Sequence, residues 1–296
     1  MLIETLDYAV NNREAILSKI GLGEHRSVLD RARSNWVGVE PSLRDQPTRT
    51  LAGIDSSWNF LPYQGFYVYA VDAVTMCGDG SCLVPPLFEV KVDTLAVKTA
   101  EGKWVNSPAL ALESIGMEYE FKQARTAIGK VDLVLIDGSI LARFYDRKSN
   151  KDSPYHEFAK ELMQQKKKGE GGVLFVSKTS YSNVTLEGAL GDMFYYNRVS
   201  SKPGFSKPYL DRSGVTITYV RLADYSPCIR LEVPGEVKSE DVEELMRVLG
   251  ESSVDGYPYV LRLAHERGKV SREEMEKLAN LLGLNTEIGG REVLGE

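Results

Sequence analysis

The chain is short of several residue types, and each shortage excludes something. Only three cysteines occur in 296 residues, Cys77, Cys82 and Cys228. An odd, sparse set excludes a disulfide framework and fits a reducing compartment. Cys77 and Cys82 flank a Gly78-Asp79-Gly80 turn, but no second Cys/His pair accompanies them, so buried thiols are a plainer reading than a zinc site. Histidine is equally scarce, with His25, His156 and His265 the full set. No Walker A, GxGxxG, HExxH or GxSxG pattern is present, so the chain has no motif for ATP and any work along a polymer needs a partner motor. No apolar run reaches the ~18 residues of a membrane span, and no apolar leader follows the start, so a cytoplasmic location away from membranes is expected. The net charge of -6 gives no global attraction to nucleic acid, and any such site must be a local basic groove.

What remains is the balance of an ordinary globule long enough for one large domain with appended elements. Residues 4 to about 35 carry Leu6, Ala9, Ile16, Ile20, Val28 and Leu29 at roughly helical spacing. They predict one or two helices, an arm over residues 1–45 suited to a lid, a docking element or a dimer contact. Strands are predicted at 50–55, at 65–74 and at 82–98, the last interrupted by Pro85-Pro86. A helix follows over 107–127, with Ser107-Pro108 at its start and Gly129 after its end. Further strands are predicted at 131–136, 172–177, 215–222 and 228–233, and helices at 154–168, 238–249, 258–267 and 271–282. Three strands, then helix, strand, helix, strand, predict an α/β or α+β domain: an antiparallel meander followed by crossovers into a mixed sheet.

Two segments carry the chemistry. Gly53-Ile54-Asp55-Ser56-Ser57 and Leu135-Ile136-Asp137-Gly138-Ser139 each deliver an aspartate at the end of an apolar strand, before small residues. Ligand sites in α/β sheets gather at the carboxyl ends of strands. Two carboxylates brought together repel unless a cation lies between them, and magnesium or manganese is the usual solution. The plainer alternative is that each aspartate only starts a turn or caps a helix. The helix between them offers Glu113, Glu118 and Glu120; Glu120 is preferred because it lies closest to the strand ending at Asp137, although a solvated acidic face explains any single glutamate. His265, late in its helix, suits a metal ligand or a proton donor, against the commoner structural histidine. Lys178 follows a third strand end and suits a phosphate. Asp192 is a further acidic candidate. Arg143, Arg147, Lys148, Lys151 and Lys166-Lys167-Lys168, with Arg198, Lys202 and Lys207, offer local positive charge near Tyr195 and Tyr196.

Four segments in order resemble the archaeal NurA nucleases: Gly-Ile-Asp-Ser-Ser around 55, Ile-Asp-Gly-Ser around 137, Val-Ser-Lys-Thr-Ser around 178, and the late Gly-Tyr-Pro-Tyr with Ala-His-Glu. The resemblance runs from about residue 45 to 285. It implies an α/β, ribonuclease H-like mixed sheet flanked by helices, as a nuclease domain over 46–296 behind the N-terminal arm. It implies Mn2+, with Mg2+ as substitute, held by Asp55, Asp137, Glu120 and His265, and Lys178 as a further catalytic residue. Asp192 is less secure as a site residue, and Tyr181 stands only as a guess for the family's mid-chain aromatic. The implied activity is exonuclease digestion of single- and double-stranded DNA, with 5'-3' polarity, and endonuclease cleavage of single strands. The implied setting is end resection and double-strand-break repair by homologous recombination, as a homodimer with the hexameric ATPase HerA. Two rival readings remain beside it: a ribonuclease acting on RNA–DNA hybrids, and an inactive DNA-binding scaffold. Retention of both aspartates argues against the scaffold.

Overall fold

Short unbroken apolar runs fold as strands covered on both faces, and the longer patterned runs fold as the helices that cover them. The computed structural model describes residues 1–21, 25–40, 49–98, 102–144, 157–158, 160–162 and 172–284. The chain opens with α1 (Ile3–Asn11), α2 (Arg13–Leu17), α3 (Arg26–Asn35) and β1 (Trp36–Gly38). A meander follows: β2 (Leu51–Pro62), β3 (Tyr67–Cys77) and β4 (Leu87–Asp93), then a small hairpin of β5 (Ala96–Lys98) and β6 (Trp104–Asn106). Next come α4 (Pro108–Ala127), β7 (Leu133–Asp137), α5 (Ile140–Phe144), β8 (Gly172–Ser177) and α6 (Asp192–Val199). The chain continues through β9 (Gly204–Ser206), β10 (Tyr209–Leu210), β11 (Val215–Arg221) and β12 (Ile229–Pro234). It closes with α7 (Ser239–Glu251), the β13 (Ser253–Val254) and β14 (Tyr257–Pro258) pair, α8 (Tyr259–Gly268) and α9 (Arg272–Leu281).

One sheet organises the molecule, in the order β1-β9-β11-β12-β8-β7-β2-β3-β4, with β10 beside β11. β7 is parallel to both of its neighbours, β2 and β8, and the other pairings are antiparallel. This is the expected mixed sheet flanked by helices. On one face, Ile54, Val134, Ile136 and Phe175 pack under α3, α4 and α6 through Leu29, Phe121, Ala124, Tyr195 and Tyr196. On the other, Leu133, Leu135 and Leu174 pack under α7 and α8 through Val242, Met246, Leu249, Val260 and Leu261. Alternate residues of one strand therefore serve different layers.

The structure departs from the sequence-based expectation at several points, the first being that the strand expected to end at Asp55 continues as β2 to Pro62, because β3 pairs with it along that whole length. The strand expected over 82–98 divides into β4 and β5, because Leu95 takes a left-handed φ of 51° that no continuous strand accommodates. Within the segment 1–45, α1 and α2 bury no residue, whereas α3 buries Leu29 and Ala32 and β1 pairs with β9. Residues 26–38 are thus built into the body of the sheet and its helical cover. The helix expected over 154–168 lies mostly outside the described residues, but Phe158 and Leu162 join the core, Phe158 stacking on Phe121 with centroids 4.4 Å apart.

Candidate active site

The site begins with strand register. β2 and β7 pair Gly53 with Leu135 and Ile54 with Ile136. The next residues, Asp55 and Asp137, therefore leave the end of this pairing side by side on the face covered by α8. Gly53 lets α8 come close, since a Cβ there would lie 2.4 Å from the Val260 carbonyl carbon. Gly138 turns the chain away after Asp137 at φ 120°, its N–H donating to the Val176 carbonyl at 2.8 Å.

Asp55 is buried and Asp137 half-buried, and the two carboxylates are close together and only partly compensated. His265 Nδ1 lies 2.9 Å from Asp55 Oδ2, and Lys178 Nζ donates to Asp137 Oδ2 at 2.8 Å. Burial is the largest influence on Asp55 and pushes its pKa up; the negative charge of Asp137 pushes the same way, against the opposing pull of His265 and Lys178. Both cations are half-exposed side chains, displaceable by an ion or a phosphate. The geometry thus provides hard oxygen donors with unspent negative charge, the donor chemistry that a divalent ion requires.

Two residues join this site that sequence reasoning did not single out for it. Asp72 faces Ser57 across β2 and β3, on the same face as Asp55. Burial, then the charges of Asp55 and Glu274, push its carboxyl up to about 7, although a Ser57 backbone N–H opposes them, and Oδ1 has no hydrogen-bond partner. The signal was a charged residue in an otherwise apolar strand; its meaning depended on the β2–β3 register. Tyr257 was expected only to open a helix. Its ring lies under the Lys178 ammonium at 4.8 Å, and its buried phenol is pushed up by desolvation and by the charges of Asp137 and Asp55. The hydroxyl makes no hydrogen bond of ordinary geometry.

Glu120 approaches from the opposite face. It is buried, and its Oε1 accepts a hydrogen bond from Ser56 Oγ at 2.6 Å. Ser56 follows Asp55 and points away from it toward α4, where Gly116 leaves room for its hydroxyl. Helices α4 and α8 therefore flank the same strand edge from its two sides. Of the other glutamates on α4, Glu113 is exposed and Glu118 pairs with Lys122 at 2.7 Å. Among the described residues, no three His, Cys, Asp or Glu are already gathered closely enough to enclose an ion.

Asp192 does not belong to this cluster. Fully buried at the start of α6, it accepts the Thr185 and Leu186 N–H groups at 2.9 and 3.0 Å and the Tyr219 hydroxyl at 3.0 Å. It is a satisfied structural carboxylate. Tyr181 is 96% exposed. Of the basic groups, Arg147, Lys148, Lys151 and Lys166 to Lys168 lie outside the described residues. Lys202 is paired with Asp224, and the Arg198 guanidinium stacks on Phe194. Tyr195 and Tyr196 are buried core rings and offer no surface for DNA. No helix among the described residues is long and apolar enough to cross a membrane.

With this geometry in hand, comparison with known proteins is specific. Residues 49–270, three quarters of the chain, match the family model described as the NurA domain. The "Probable DNA double-strand break repair nuclease NurA" of Methanocaldococcus jannaschii is 21% identical, over 98% of this chain and 92% of its own length. The crystal structure of the NurA nuclease from Sulfolobus solfataricus superposes with a TM-score of 0.78 at 21% identity, covering 96% of this chain and 97% of that one. A crystal structure of NurA bound to dAMP and manganese gives 0.59 at 11% identity, with 96% and 98% covered. The matched span holds the strand-end aspartates, Lys178 and His265 together: this chain belongs to the NurA family.

Proposed function

We propose that this chain is a metal-dependent DNA nuclease that hydrolyses phosphodiester bonds at the edge between β2 and β7. The observation that carries this reading is the pair Asp55 and Asp137, adjacent carboxylates, one buried and one half-buried, whose mutual repulsion is only partly relieved by the half-exposed Lys178 and His265. Asp55 and Asp137 would hold the ion, with Glu120 and His265 as donors flanking from the two faces. Manganese fits this set, as does magnesium; when bound, such an ion favours ionisation of water and stabilises negative charge on phosphoryl oxygens.

The chain's own groups complete the reaction. Lys178 carries positive charge at the strand end, where it orients a phosphate and offsets its charge. His265 has Nδ1 engaged with Asp55, which leaves Nε2 for one of two roles: completing the ion's shell or, instead of that, holding a proton for the departing sugar oxygen. Water oxygen bonds to phosphorus and gives up one proton to solvent, the bond from phosphorus to the leaving oxygen breaks, and the leaving oxygen takes a proton to become the free hydroxyl. Tyr257, beneath Lys178, fixes the height of the ammonium over the two carboxylates.

The Methanocaldococcus jannaschii relative is named for double-strand-break repair, which supports the same role here, in resection of DNA ends. We place exonuclease action with 5'-3' polarity, endonuclease action on single strands, a homodimer and partnership with the hexameric ATPase HerA within the same proposal. The exposed apolar residues of α1 and α2, among them Leu6, Val10 and Ile16, suit the docking role given to the N-terminal arm. The test is digestion of 5'- and 3'-labelled single- and double-stranded DNA with Mn2+, Mg2+ or EDTA, by wild type and Asp55→Ala. Metal-dependent shortening lost in the variant supports the reading; full metal-dependent activity in Asp55→Ala overturns it.

A further inference from the structure

A cavity of about 420 Å³ opens where β7 and β8 end, on the face of the sheet opposite the carboxylate pair. Its walls mix two chemistries. Leu141, Val184 and Ile217 supply apolar surface, while Ser139, Ser180 and Arg230 supply polar groups. Tyr181 stands at its rim with 96% of its surface exposed, an aromatic face that packs against nothing. The cavity is tied covalently to the catalytic segments: Ser139 lies two residues after Asp137, and Ser177, directly before Lys178, donates to the Gly138 carbonyl at 2.8 Å.

Its charge identifies the occupant. Arg230 is 5% exposed, and its guanidinium donates to Ser180 Oγ at 3.0 Å while its Nη2 lies 2.8 Å from Glu232 Oε1. Glu232 is fully buried and also accepts from Ser139 Oγ at 2.6 Å and the Leu141 N–H at 3.0 Å. The arginine is therefore neutralised, and Asp211 lines the same cavity, so a phosphate finds no net positive charge there. A flat, uncharged group with hydrogen-bonding edges fits better, with apolar walls for its faces and hydroxyls for its rim.

We propose that this cavity receives an unpaired nucleobase of the DNA strand being cut, close to the scissile phosphodiester, with Tyr181 stacking at its mouth. The proposal rests on the nuclease reading above and deepens it. A base can enter only when it is out of its pair, so the cavity favours single-stranded or frayed ends over intact duplex. The carboxylate pair and Lys178 on one face position the phosphate, and the cavity on the other positions the base.

The experiment measures binding of fluorescent single-stranded oligonucleotides in EDTA by anisotropy, for wild type, Tyr181→Ala and Val184→Trp, the second of which fills the cavity. Both positions are exposed, so neither change threatens the fold. Loss of one stacked base weakens binding by roughly five- to hundredfold. Oligonucleotides with a single abasic residue at successive positions should reproduce that loss in wild type at one position and add nothing further in Val184→Trp. Equal binding by wild type and Val184→Trp, with no abasic position that matters, overturns the proposal. Because no metal is present, the result is separate from cleavage. Absence of metal-dependent digestion alongside the expected binding pattern would refute the nuclease reading and leave the base site standing.

Discussion

Asp55 and Asp192 are both aspartates buried beside the same sheet, and their surroundings differ in a way that separates site from scaffold. Asp192 meets two backbone N–H groups and a phenol, with no opposing carboxylate among its hydrogen-bond partners. Asp55 meets a half-exposed histidine and lies within the field of Asp137. A carboxylate whose partners are fixed contributes to stability; one left beside another carboxylate costs stability unless a ligand arrives. The contrast is between spent and unspent charge.

The largest expected effect breaks this contrast at its functional side. Asp55→Ala should lower metal-dependent cleavage by about a thousandfold or more, while the melting temperature of the metal-free protein stays level or rises, because a repulsion is removed. Cleavage kinetics and thermal unfolding on the same preparation check both halves. Asp192→Ala should do the reverse. It leaves the buried Leu186 N–H and the Tyr219 hydroxyl without their partner, at a cost of roughly 2–4 kcal/mol by urea unfolding, while the activity of the folded fraction is retained.

Asp72 sharpens the comparison, since it shares the Asp55 face and is, like Asp55, only partly compensated. Its folded pKa, about 7, lies above the ordinary carboxylate value near 3.8. The folded protein thus holds a proton that the unfolded chain releases. Stability contributed by this group is complete below pH ~4 and declines as pH rises through ~7. Asp72→Asn should remove a decline of roughly 2–4 kcal/mol across that window, seen as a flatter curve of unfolding free energy against pH. The smallest effect concerns the far side of the strand. Ser56→Ala should cost about 1 kcal/mol through the lost hydrogen bond to Glu120, whereas Glu120→Gln keeps an acceptor for Ser56 and should lose metal-dependent cleavage at little cost in stability. Retained cleavage in Glu120→Gln would confine that residue to a structural role.

Much of this architecture is legible from local pattern. α4 is bounded within a residue because Ser107-Pro108 and Gly129 are local signals, and β8 is bounded fully and β7 within two residues because their apolar runs are unbroken. The short strands β1 and β9, three residues each, carry no periodicity and exist through their mutual pairing. The site divides in the same way. Asp137 shows itself as a carboxylate ending an apolar strand, and Asp55 as one ending an apolar run, although β2 continues past it to Pro62 against β3. Asp72 and Tyr257 do not, because their place depends on β2–β3 register and on the path of the chain into α8. Asp192 stands among the acidic candidates because an aspartate looks the same in the sequence whether its carboxylate meets backbone N–H groups or a ligand. Partner geometry decides between them, and local sequence does not contain it.

The most direct measurement is a calorimetric titration of Mn2+ into wild type and into Asp55→Ala, each repeated in two buffers of different ionisation enthalpy. Unspent charge at Asp55 and Asp137 predicts saturable binding to the wild type, with proton release as Asp55 loses its raised tendency to stay protonated, and loss of that binding in the variant. Equal Mn2+ binding by both proteins would contradict the account, because the ion would then be held somewhere other than the carboxylate pair.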